Sequence, residues 1–123
     1  MMILIAEGSS TVRRQVAARL VADGYQVIEA ADGEEAFALA RSGHPDLLVL
    51  DKVMPELDGF EVLRALREDR LTRAMPIVLL TDRTNEDDVL GGLRLGVEEY
   101  IPRPFSPHDL SARVRRALRR ADP

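Results

Sequence analysis

Residues 46–67 read DLLVLDKVMPELDGFEVLRALR, and this stretch decides the fold. Leu47 to Leu50 are apolar without alternation, as in a strand buried on both faces of a parallel sheet. A single carboxylate, Asp51, stands where that run ends. A loop containing Pro55 follows, from Lys52 to Leu57, and Asp58 is placed to cap a third helix reaching about Glu68. An acid at the carboxyl end of a buried strand sits where open α/β sheets place their ligands. Asp51 read as a mere helix cap is the weaker alternative, because Asp58 is available for that work.

Outward from this centre the chain alternates in kind. Met2 to Ala6 (MILIA) is another short apolar run, closed by Glu7-Gly8. Ser9, Ser10 or Thr11 can cap the first helix, which Asp23-Gly24 stops. Tyr25 to Ile28 reads as the second strand. Asp32 and Glu35 are spaced like a capping box at the start of the second helix, which Gly43-His44-Pro45 breaks. His44 reads as a loop residue. Ile77 to Leu80 forms a fourth strand, and Thr84 can cap a fourth helix that Gly91-Gly92 weakens and Gly96 ends. Glu98 to Ile101 is a fifth strand at an edge. Ser106-Pro107-His108-Asp109 starts a fifth helix. Five strands alternating with five helices imply a doubly wound α/β fold with a parallel sheet. One domain, residues 1–123, is the expectation, with no repeat or linker.

Composition narrows the function classes. The chain has 123 residues, 46% hydrophobic and 31% charged, an ordinary globular balance. No apolar run approaches a membrane span, and MMILIAEGSS lacks the basic start of a secretory leader. With no cysteine, disulfides and thiolate metal sites are excluded; a cytoplasmic protein fits. The net charge of −4 argues against direct nucleic-acid binding by the whole surface. The charge is uneven: from Arg103 onward six arginines face Asp109 and Asp122, and Lys52 is the only lysine.

The fixed-order features resemble the receiver domain of two-component response regulators, the CheY-like domains of flavodoxin-like fold. They are an acid after the first strand, DKVMPELDGFEVL after the third, Thr81 after the fourth and YIPRPF around the fifth. The resemblance covers the whole chain. It implies the strand order 2-1-3-4-5 and a signalling domain that is not an enzyme, although it assists its own phosphorylation and dephosphorylation. Asp51 would be the phosphoacceptor, served by a histidine kinase or phosphotransfer protein. Such an acceptor is an exposed, ionised carboxylate surrounded by cations. The resemblance also implies Mg²⁺, held by Glu7, Asp51 and the carbonyl of Val53. Thr81 and Arg103 would bind phosphate, and Thr81 with Tyr100 would form the switch pair. The output face, against a downstream protein target or a second copy in a homodimer, would be the fourth helix, fifth strand and fifth helix. Glu98 and Glu99 would then pair with Arg113, Arg115 or Arg116 across a two-fold axis.

Three positions depart from that pattern. Gly8 stands where the family has a metal-binding aspartate, which weakens or removes Mg²⁺ binding. Arg103 stands where the family has lysine in KPF; it keeps the charge but is larger and planar. Lys52 follows Asp51 in an extended chain and points to the other side, so it does not substitute. Asp82 stands where the family has a small residue; it either repels phosphate or replaces the lost carboxylate. The alternative function is a pseudo-receiver, an interaction module whose state is not set by phosphate. A small flavodoxin-like enzyme or cofactor carrier is disfavoured, since EGSST after the first strand lacks a glycine-rich phosphate loop. Ala121-Asp122-Pro123 is either a natural end or a cut before an effector domain.

Overall fold

The computed structural model of the chain describes residues 1–52, 54, 58–81 and 95–121. Five strands, β1 (Met2–Ala6), β2 (Gln26–Ala30), β3 (Leu47–Asp51), β4 (Ile77–Thr81) and β5 (Glu99–Pro102), form one sheet in the order β2-β1-β3-β4-β5. All four pairings are parallel. The helices are α1 (Ser10–Ala22), α2 (Gly33–Gly43), α3 (Gly59–Glu68) and α4 (Pro107–Ala121), the last being the fifth helix of the sequence reading. Four helices are therefore seen among the described residues, not five; the expected fourth helix after Thr84 lies outside them, as do Val53, Pro55 and Asp82.

Strand alternation divides the core in two. On one face Leu4, Ala6, Leu48, Leu50, Ile77 and Leu79 pack with α2 and α3. On the other, Ile3, Ile5, Leu47, Val49, Val78 and Leu80 pack with α1 and α4. The central strands β1, β3 and β4 are therefore apolar throughout except at the last residues of β3 and β4, Asp51 and Thr81, as their sequences suggested. The flanking strands carry more polar residues. β2 runs two residues further than expected, because Ala30 is buried and pairs with Ala6. β5 is shifted one residue on, to Pro102, which pairs with Thr81.

The caps follow the sequence signals. Of three candidates, Ser9 caps α1, its hydroxyl accepting the Val12 N–H at 3.3 Å. Asp32 accepts from Glu35 N–H, Asp58 from Glu61 N–H and Ser106 from Asp109 N–H. His44 is the left-handed C-cap of α2, with φ 46°.

Gly59 has a purpose beyond opening α3. A Cβ at this position would lie 2.5 Å from both the Asp51 carbonyl oxygen and the Lys52 Cα. The Gly59 N–H donates to the Lys52 carbonyl at 2.6 Å. Backbone thus rests directly on backbone behind Asp51, and only a residue without a side chain permits it. Gly59→Ala should lower stability by about 2 kcal/mol, an overpacking cost. Urea unfolding checks this, and a wild-type midpoint would contradict the close approach.

Candidate functional site

The carboxyl ends of β1, β3 and β5 converge. The sheet ladder continues one step past β1, where Glu7 N–H donates to the Ala30 carbonyl, and past β5, where Arg103 N–H donates to the Thr81 carbonyl at 2.7 Å. By alternation Glu7, Asp51 and Arg103 then share the face covered by α1 and α4. One Arg103 nitrogen, Nη2, donates to Glu7 Oε2 at 2.5 Å and forms an ion pair with Asp51 Oδ1 at 3.0 Å. A single guanidinium therefore bridges the two acids.

Both acids are removed from solvent. Glu7 is 1% exposed and Asp51 is 3% exposed. The expected acceptor was an exposed carboxylate; the contact with Arg103 and the tight seat against α3 explain why this one is buried. Around Glu7 the support is dense. Its Oε1 accepts the Ser9 N–H at 3.1 Å, at the start of α1, where the helix dipole favours an anion. Its backbone carbonyl accepts from Arg13 Nη1 at 2.8 Å, and Arg13 in turn pairs with Glu29.

The two residues expected to form the switch pair lie on the other face. Thr81, 2% exposed, ends β4 with the parity of Ile77 and Leu79. Tyr100 pairs in register with Leu79 and packs against the core on the α2–α3 side. Its carbonyl accepts from Arg113 Nη1 of α4. Lys52 points as expected: its ammonium lies 5.8 Å from the centroid of Phe60, which packs on that same opposite face. The Arg103–Pro104 peptide is cis.

The donor set can be tested against the Mg²⁺ that the resemblance implies. Val53 and Asp82 lie outside the described residues, and Gly8 offers no carboxylate. Among the described residues no group of three or more His, Cys, Asp or Glu side chains gathers as metal ligands. The facing oxygens of Glu7 and Asp51 are both held by Arg103, and the second oxygen of Glu7 is held by Ser9. Mg²⁺ requires near-octahedral oxygen coordination. The arrangement of Glu7 and Asp51 does not fit a divalent ion while Arg103 bridges them.

Two sets of arginine contacts differ from the sequence expectation. On α4, Arg113, Arg116 and Arg120 recur on one side of the helix and all reach Glu99 of their own chain, Arg113 at 4.0 Å and Arg120 at 3.5 Å. Glu99 raises the pKa of Arg116, first through their hydrogen bond and then through its charge. The Glu99 pairs expected across a two-fold axis are thus formed within one chain, because α4 lies along β5. Arg67 of α3 donates to the carbonyls of Leu95, Arg73, Met75 and Gly96. Burial lowers its pKa, opposed by Glu98. It fixes the turn that leads into β5. Four carbonyls from two separate segments leave no periodic trace, so no sequence signal marks Arg67.

With this geometry in place, comparison with known proteins gives the class. Residues 3–115 match the response regulator receiver domain family. The chain belongs to that family. It is 45% identical over 120 residues to the probable transcriptional regulator ycf27 of Porphyridium aerugineum, covering 98% of this chain and 49% of that protein. It is 42% identical to the alkaline phosphatase synthesis transcriptional regulatory protein PhoP of Bacillus subtilis, again covering 98% of this chain and 49% of that one. The chain thus spans about half the length of these relatives. Among solved structures it resembles the chemotaxis protein CheY4 of Vibrio cholerae, with a TM-score of 0.89 and 32% identity, covering 94% of this chain and 97% of that one. Among the described residues no helix is long and apolar enough to cross a membrane.

Removing Arg103 leaves two buried carboxylates facing each other. Arg103→Met should destabilise the fold by about 3 kcal/mol, the scale for breaking a buried ion pair. Adding Glu7→Gln should recover part of that loss. Chemical unfolding of the wild type, the two single variants and the double variant checks this, and independent, additive effects would contradict a shared bridge.

Proposed function

We propose that this chain is a phosphoryl-accepting receiver in cytoplasmic two-component signalling, with Asp51 as the acceptor. The donor is a histidine kinase or a phosphotransfer protein. The observation that carries the reading is the placement of Asp51 at the carboxyl end of the central strand, with a guanidinium 3.0 Å from Oδ1. Phosphoryl transfer depends on position and on compensating charge more than on covalent help from the protein. An Asp51 oxygen attacks phosphorus, the bond from phosphorus to the donor nitrogen breaks, and the leaving imidazole keeps that electron pair and is protonated. Arg103, with several N–H donors in one plane, is suited to the phosphoryl oxygens. Thr81 supplies a hydroxyl from the end of the adjacent strand, and Tyr100 responds on the same face. The domain acts as an acceptor rather than as an enzyme on other molecules.

The output reading follows from β5 and α4. Arg113 joins α4 to the Tyr100 backbone, so a change at Tyr100 is felt along that helix. The downstream target is a protein, either a partner or a second copy meeting the face of β5 and α4, where Arg115 is exposed; the expected fourth helix of that face lies outside the described residues. The curated relatives are transcriptional regulators about twice as long; in a protein of that design, DNA contact would fall to a segment other than this domain.

A second reading, a phosphate-independent interaction module, is favoured by one specific observation: Arg103 already neutralises a buried Asp51. Incubation with a small acyl phosphate, with and without Mg²⁺, followed by intact mass measurement, separates the two. The receiver reading expects a phosphoryl adduct that Asp51→Ala abolishes. Absence of an adduct under both conditions would establish the second reading in its place.

A further inference from the structure

The cation of this pocket is part of the chain. Arg103 Nη2 holds both Glu7 Oε2 and Asp51 Oδ1. These are the two carboxylates through which a divalent ion would be bound. The backbone that carries the guanidinium is constrained on both sides, by Pro102 and Pro104, and by the 2.7 Å bond from Arg103 N–H to the Thr81 carbonyl. Little backbone freedom is left to lose when the side chain reaches the acids. A guanidinium also retains its charge at every working pH and is more weakly hydrated than an ammonium. Mg²⁺, by contrast, dehydrates reluctantly and needs several well-placed oxygens. Gly8 supplies none from its side chain, and the remaining oxygen of Glu7 is engaged by Ser9 N–H.

We propose that Arg103 is the resident cation of the acidic pocket, and that a divalent ion binds Glu7 and Asp51 only by displacing its guanidinium. The proposal rests on the reading of this pocket as the receiver's functional site. The two cations compete for the same pair of oxygens. If the bridged state is populated ten to one or more over the open state, apparent metal affinity falls at least about tenfold. The pocket then responds to phosphoryl donors with little dependence on Mg²⁺ concentration.

Calorimetric titration of the whole chain with Mg²⁺ tests this. Arg103→Ala should bind at least about tenfold more tightly than wild type, and Arg103→Ala with Glu7→Gln should lose that gain. Equal or weaker binding by Arg103→Ala would overturn the proposal. Should that variant fail to fold by circular dichroism, Arg103→Gln, which keeps a stem and lacks the charge, carries the same comparison. The titration does not depend on phosphorylation. Unchanged metal affinity alongside normal adduct formation at Asp51 would remove the resident cation and leave the receiver; the expected affinity gain without any adduct would do the reverse.

Discussion

One guanidinium between two buried carboxylates sets the character of this molecule. Glu7 and Asp51 end neighbouring parallel strands, and the parity of the sheet turns both to the same face. Two such acids side by side, away from water, repel each other strongly unless a cation lies between them. In this chain the cation is Arg103, delivered by the loop after β5. The rest of the pocket follows from that contact: the burial of Asp51, the use of the Glu7 oxygens, and the poor fit to a divalent ion.

The scaffold makes the contact possible by ordinary means. Apolar strands in parallel register bring three carboxyl ends together at one edge, and helices on both faces exclude water from below. Gly59 lets α3 approach the backbone of Asp51 and Lys52 more closely than any other residue would. Thr81 and Tyr100 share the opposite face, so they and the charged cluster occupy separate sides of one sheet edge. Arg113 and Arg67 then anchor β5 and the turn before it to the flanking helices.

Much of this was legible in the sequence because it depends on local periodicity. Unbroken apolar runs marked β1, β3 and β4; Ser106-Pro107 and Asp58-Gly59 marked helix starts; and Asp51 stood out as the acid closing the central run. Gly8 and Arg103 could be flagged as departures because they sit at fixed offsets in motifs. What could not be read were contacts between residues far apart in the chain. Arg103 and Glu7 are separated by 96 positions, and no pattern says whether an arginine will face phosphate or fold back on an acid. The intrachain gathering of three arginines on Glu99 was missed for the same reason: the sequence set Glu99 against Arg113, Arg115 or Arg116 across a two-fold axis, and no local pattern shows which strand the last helix will meet. The ends of β2 and β5 shifted because tertiary pairing, with Ala6 and with Thr81, overrode turn signals.

The position of Arg103 when metal is offered is the most direct test. Crystal structures of the chain grown without Mg²⁺ and in low-millimolar Mg²⁺ would show it. The guanidinium should lie between Glu7 and Asp51 in both. A magnesium ion coordinated by those two carboxylates, with Arg103 turned out to solvent, would contradict it.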